Sequence, residues 1–217
     1  NTFIGGNAGD SNTTADNNTA VGFNALTANT TGTGLVAVGA NAVDANTTGS
    51  NNIGIGLNAA GATTSGTGNV AIGTNSLLQN TTGIDNVAVG LYALNANTTA
   101  SNNVAVGKSA LTANTTGTAN VAVGNSSGDA LTTGHYNTMV GHGSLGADTT
   151  GTRSVAVGMQ ALAAQNFVTE TSVYNVAVGF NAGLSVTTGI QNTLIGGLAG
   201  DAITTGANNV ALGQAAL

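Results

Sequence analysis

A glycine falls at Gly5, Gly22, Gly39, Gly56, Gly73, Gly90, Gly107, Gly124, Gly141 and Gly158, one every 17 residues. The next is 21 residues further on, at Gly179, and the 17-residue step returns at Gly196 and Gly213. A fixed period of this length means that one copy is one structural unit, too small to bury a core alone and forced to stack on its neighbours. The spacing predicts one domain over residues 1–217, built of thirteen 17-residue coils with a four-residue insertion in the coil 158–179.

One copy reads N-V-A-V-G-x-N-A-L-x-A-N-T-T-G-T-x. Triplets such as Val70-Ala71-Ile72 and Val104-Ala105-Val106 are β-branched at both ends and favour an extended strand. A helix would have to carry glycines and Thr-Thr-Gly within every second turn or so, each at an energetic cost. The marker glycines, Gly22, Gly39, Gly73, Gly90, Gly107 and Gly124 among them, and a second set at Gly32, Gly49 and Gly66 supply the backbone freedom of corners. Each copy is therefore expected to run strand, corner, short strand, corner, and the fold class is all-β, a parallel β-solenoid.

Composition removes several classes. Two basic residues stand against eight acidic ones for a net charge of −6, so no basic surface exists to neutralise nucleic-acid phosphates. Glycine is abundant, at 34 of 217, but proline is absent and the glycines do not fall at every third position, which excludes a collagen helix. With 41% hydrophobic residues held at fixed phase, the chain is expected to bury them rather than remain disordered. There is no cysteine for disulfides or thiolate metal sites, and the longest apolar runs are far short of a membrane span. The chain starts at Asn1 in phase with the repeat and reads as a stretch of a longer fibre protein.

In an extended triplet the two β-branched residues point one way and the alanine the other. All three are apolar, and a strand apolar on both faces is usually covered on both. The expectation is that each coil buries its two β-branched residues and a leucine, and that the alanine faces outward, where a partner chain can approach closely. Asn69, Asn86, Asn103 and Asn120, all at one offset before the strand, are expected to form an amide ladder from coil to coil. Thr-Thr pairs such as Thr30-Thr31 and Thr81-Thr82 are expected to form a second ladder at a corner. Asn29, Asn46, Asn80, Asn97 and Asn114 also read as N-x-T glycosylation acceptors, a by-product of the repeat.

The phrase Ser154-Val155-Ala156-Val157-Gly158-Met159-Gln160-Ala161-Leu162-Ala163 resembles the S-x-A-x-G-x-x-A-x-A repeat of YadA-like heads in trimeric autotransporter adhesins. The form NTAVGFNALTANTTGTG at residues 18–34 is similar to repeats of bacteriophage tail fibres and bacterial surface fibres. The resemblance implies a left-handed parallel β-roll, three chains side by side as a homotrimer, an extracellular location and a role in attachment to an unknown cell-surface or matrix receptor.

Catalysis has little to draw on. His135 and His142 are the only candidate bases, no acid recurs beside them, and no nucleophile stands out among the many Ser and Thr. Asp10, Asp129 and Asp201 each follow a glycine at matching phase, but calcium-binding roll repeats need a denser Gly-Asp pattern. No enzyme activity, cofactor or metal is expected. Departures from the repeat are where recognition belongs: the inserted coil 165–174 brings Phe167, Glu170 and Tyr174 as a candidate adhesive loop, and the residue after each marker glycine varies as an exposed row would. The preferred reading is a structural and adhesive extracellular fibre. The alternative is an ice-binding solenoid using T-x-T ladders (Thr31/Thr33, Thr116/Thr118, Thr150/Thr152), a row broken by Ile84, His135 and Ile190.

Overall fold

A computed structural model describes residues 1–217 as two compact units, Asn1–Ala105 and Val106–Leu217. The first contains β1 (Thr2–Ile4), β2 (Thr19–Val21), β3 (Val36–Val38), β4 (Ile53–Ile55), β5 (Val70–Ile72) and β6 (Val87–Val89), and β7 (Val104–Val106) falls at the division. The second contains β8 (Val121–Val123), β9 (Thr138–Val140), β10 (Gly151–Thr152), β11 (Val155–Val157), β12 (Thr171–Ser172), β13 (Val176–Val178), β14 (Thr193–Ile195) and β15 (Val210–Leu212). Both are parallel β-solenoids without a helix, about twelve turns in all, one fewer than the glycine marks because stacked strands enclose the turns between them. Equivalent residues pair in register, as in Val36↔Ile53, Ala37↔Gly54 and Val38↔Ile55. The insertion leaves the register intact, since Val155 still pairs with Val176.

The strand is inverted relative to the sequence expectation. Ala20, Ala37, Ala71, Ala88 and Ala122 are fully buried, while the valines and isoleucines at the two ends of each strand face outward, with Ile55 and Ile72 keeping 38% of their surface exposed and Ile4 in the first strand 60%. The reason is the narrowness of the coil. Opposite each alanine stands the residue four after the marker glycine, usually a leucine such as Leu26, Leu77, Leu94 or Leu111, also fully buried. Alanine plus leucine fills the gap, and a β-branched pair would overfill it.

This interior obeys a rule of compensating size. Where the strand centre is large, at Phe3, Met139 and Leu194, a facing residue is glycine: Gly9 and Gly200 six places after the strand centre, and Gly128 and Gly183 eleven places before it. A Cβ at Gly128 would lie 2.5 Å from Met139 Sδ, one at Gly9 would lie 2.7 Å from the Phe3 ring, and one at Gly200 would lie 2.7 Å from Leu194 Cδ2. Conversely Gly54 stands in the strand where Val43 fills the space, 2.5 Å from the Cβ it lacks. The glycines of the Gly9-Asp10, Gly128-Asp129 and Gly200-Asp201 pairs thus make room for a bulky strand residue.

The expected second short strand is not general. Only β10 and β12 form one, next to the insertion. Elsewhere each coil turns through left-handed backbone at three phases, for example Asn24 (φ 55°), Leu26 (φ 57°) and Asn51 (φ 58°). Such turns break an extended run, and bonds between coils, such as Leu26 N–H to Ala42 O at 3.0 Å, continue the stack without it. The marker glycine is fixed by two demands at once. At Gly39, φ is 132°, and a Cβ would lie 2.5 Å from the Gly56 carbonyl oxygen of the next coil.

Candidate functional site

The asparagine ladder forms as the repeat predicts. Asn69 Oδ1 accepts from the Asn86 backbone N–H at 3.1 Å and from Asn86 Nδ2 at 3.1 Å, while Asn69 Nδ2 donates to Asn52 Oδ1 and to the Gly83 carbonyl. Asn103 repeats the bonds to Asn86, and Asn137 repeats them to Asn120. The threonine ladder forms as well, each first hydroxyl donating to the next coil's carbonyl: Thr30 to Thr47, Thr47 to Thr64, Thr64 to Thr81.

Two further amide ladders went unread in the sequence. One runs along the turn after the marker glycine, Asn24 Nδ2 to Asn41 Oδ1, Asn41 to Asn58 and Asn58 to Asn75. The other is built by the supposed glycosylation acceptors. Asn46 Nδ2 donates to Asn29 Oδ1 at 2.9 Å and to the Gly49 carbonyl, and Asn29, Asn46, Asn80, Asn97 and Asn114 are all fully buried. Their side chains are committed to stacking and cannot carry a glycan in the folded chain.

In the second unit that buried row changes at Asp148 and Gln165. Asp148 Oδ1 accepts the N–H groups of Gly151 and Phe167, and Asp148 Oδ2 accepts from Gln165 Nε2 at 2.6 Å. Gln165 Oε1 in turn accepts from Asn175 Nδ2 at 2.9 Å. The pair anchors the inserted coil. It also turns Phe167 inward, 8% exposed, so the aromatic expected in the adhesive loop is a packing residue whose carbonyl receives the Thr149 and Thr150 hydroxyls. Thr152 is fully buried, and the Thr150/Thr152 part of the T-x-T row is therefore no open water-facing array. The protruding part of the insertion is Val168, Thr169 and Glu170, with Val168 at 82% exposure.

Glu170 and Tyr174 do not stand alone. Glu170 Oε1 lies 3.0 Å from His135 Nε2, reaching back across the intervening coil. Arg153 Nη1 donates to Thr152 Oγ1 and Ser172 Oγ, and its guanidinium lies over two rings, 5.3 Å from the Tyr136 centroid and 5.9 Å from that of Tyr174. The His135 and Tyr136 rings meet edge to face at 5.5 Å. In a chain with 5% charged and 3% aromatic residues, four of them, Tyr136, Arg153, Glu170 and Tyr174, gather with His135 at one corner. The sequence signal was available: Tyr136, Arg153 and Tyr174 each stand immediately before the ladder residue of their coil, a position held elsewhere by small or amide residues and one aspartate, Asn17, Gly34, Asn51, Gly68, Asp85, Asn102, Ala119, Gln191 and Asn208.

That position has left-handed backbone, φ 62° at Tyr136, 64° at Arg153 and 55° at Tyr174. Residues other than Gly, Asn and Asp adopt it at a cost of about 1–2 kcal/mol each. The leucines that adopt it in the core are fully buried in return, whereas Tyr136 and Tyr174 remain 55% and 51% exposed. Strained, exposed aromatic residues clustered with an arginine are a pattern that function explains better than packing does.

The second exposed feature is apolar. Besides the outward β-branched rows, the residue after the marker glycine is exposed at Phe23, Leu57, Leu91, Met159 and Phe180, as its variation predicts. Within the first unit none of these three rows contains a charged residue. The chain has no pocket, no helix able to cross a membrane and no group of three His, Cys, Asp or Glu residues fit to hold a metal ion. What fold and surface define is a repeat solenoid with one apolar face and one aromatic, charged corner. Comparison with known protein families, with curated proteins and with solved structures returns no match.

Proposed function

We propose that this chain is a stretch of an extracellular attachment fibre, assembled from copies of itself as a homotrimer and holding a contact surface away from a cell or virion. The observation that carries the reading is the outward Val/Ile face, a regular apolar surface with nothing of its own chain to cover it. A second copy is its natural cover, because it repeats the same side chains at the same spacing. With exposure reaching about a third, as at Ile55 and Ile72, the four β-branched side chains brought together by two facing coils are worth at most about 2–4 kcal/mol. Summed over the six strands of the first unit, that is at most about 12–24 kcal/mol, enough to offset much or all of the roughly 4–15 kcal/mol that association costs. The reading involves no catalysis, cofactor or metal, and the left-handed winding implied by the resemblance belongs to it.

Light scattering joined to size-exclusion chromatography tests it. The chain is expected to run at three times its 20.7 kDa mass. The pair Ile55→Lys and Ile72→Lys should reduce it to a monomer with an unchanged far-ultraviolet spectrum. A parent chain that is monomeric at concentrations of about 100 µM overturns the proposal.

A further inference from the structure

The geometry points to a binding site for a neutral saccharide chain at the Tyr136–Arg153–Tyr174 corner of the second unit. This inference deepens the attachment reading by naming the class of ligand that the fibre meets. It rests on what the corner offers and what it leaves unused. Tyr136 and Tyr174 occupy the same phase two coils apart, roughly 10 Å at the spacing of stacked strands, which is about the length of two sugar rings. The half-exposed phenol rings, partly covered by the guanidinium, present their remaining carbon surface to the C–H face of a pyranose, and neither hydroxyl hydrogen-bonds within the chain.

Between the rings the arginine is already oriented. Its Nη1 is held by Thr152 and Ser172, which leaves the Nη2 and Nε donors free to meet a ligand oxygen. Beside it the Glu170 carboxylate keeps Oε2 free as an acceptor while Oε1 is tied to His135. A hydroxyl both donates and accepts, so a polyol can use both groups together. The surface has no pocket to enclose a compact ligand, and an extended chain needs none. Charge selects further: the guanidinium and carboxylate cancel within the cluster, and the chain as a whole is at −6, so an anionic polymer such as a nucleic acid or a sulfated glycan is not favoured.

Saturation-transfer NMR and calorimetry on the full chain test the site with maltotetraose, cellotetraose, chitotetraose and mannotetraose, and with a sulfated oligosaccharide of similar length. At least one neutral tetrasaccharide is expected to bind with a Kd between about 0.1 and 5 mM. Tyr136→Asn with Tyr174→Asn should weaken it by at least tenfold. Asparagine suits the left-handed backbone, so the double variant is expected to fold with an unlowered Tm, and Tyr136→Phe should stay within threefold of the parent. Binding by none of the four, binding untouched by the double variant, or tighter binding of the sulfated chain would each overturn the inference. Oligomeric mass is measured in the same samples: a trimer that ignores sugars sinks only this inference, and a monomer that binds them sinks only the fibre.

Discussion

The compensating interior can be tested by breaking it in two ways and then restoring it. Met139 is fully buried against Gly128, in a row where neighbouring coils pair a strand alanine with a left-handed leucine. Met139→Ala removes three side-chain heavy atoms from a space that Gly128 cannot fill. Met→Ala at buried sites costs about 2–5 kcal/mol, which for a chain of this size lowers Tm by about 4–20 °C at roughly 2–4 °C per kcal/mol. Gly128→Leu alone places a Cβ 2.5 Å from Met139 Sδ and overpacks the coil, a change that typically costs about 1–3 kcal/mol. The double variant recreates the pairing of Leu111 with Ala122 one coil earlier, and φ at residue 128 is 59° against 50° at Leu111, so the backbone is already suitable. It should return to within about 1 kcal/mol of the parent. The two changes would then couple by roughly 2–8 kcal/mol, outside the range of independent sites. Thermal unfolding followed by far-ultraviolet circular dichroism measures all four corners of the cycle. Additive losses, with the double variant below either single one, would refute the compensation rule.

Two other outcomes follow from the polar rows. Asn69→Ala deletes four hydrogen bonds and leaves the buried Asn86 N–H without its acceptor, so a loss of about 4–6 kcal/mol is expected from urea unfolding, given roughly 1 kcal/mol for each of three net bonds and 1–3 for the orphaned donor of the fourth. Asp44 lies half-buried, and burial pushes its carboxyl above the ordinary value of 3.8 against the opposing pull of hydrogen bonds with the backbone of Asp44 and Ala45. The folded chain therefore holds this proton more tightly than the unfolded one, and Asp44 stabilises least when ionised. Its contribution is fully present below pH 3.8 and is lost as pH rises through the raised folded value. The Tm of Asp44→Asn relative to the parent should increase from pH 3 to pH 7, and a flat difference would contradict the assignment.

The period, the parallel stacking and the ladder from Asn69 to Asn120 were legible because each is a property of single positions repeated at a fixed step. A strict register of 17 leaves stacked strands no other neighbour than their own equivalents. The direction of the strand was not legible by the same means. Val-Ala-Val is apolar on both sides, and alternation alone cannot say which side is inside. The answer lay in pairs of positions: where the strand centre grows, as at Phe3, Met139 and Leu194, a residue four beyond a marker glycine, six places after the strand centre at Gly9 and Gly200 or eleven before it at Gly128, shrinks to glycine. Reading that correlation requires the two positions to be suspected of contact, which their separation along the chain does not suggest.

Similar logic governs the candidate binding corner. Its residues lie at 135, 136, 153, 170 and 174, scattered in sequence but confined to one turn of successive coils. The insertion drew attention to Glu170 and Tyr174, and also to Phe167, because an insertion says where the chain departs from the repeat without saying which of its side chains point out. Asp148 and Gln165, replacing asparagine in a buried row, decide that by holding the inserted coil so that Phe167 packs inward and Val168 to Glu170 project. In a molecule whose regular coils spend nearly every polar group on their neighbours, a free guanidinium edge, a free carboxylate oxygen and two half-exposed phenols are departures that the stacking of coils does not use up. The solenoid supplies for them what a loop on a globular domain would not, rings held at a spacing set by the backbone stack, and that spacing is what the proposed saccharide site depends on.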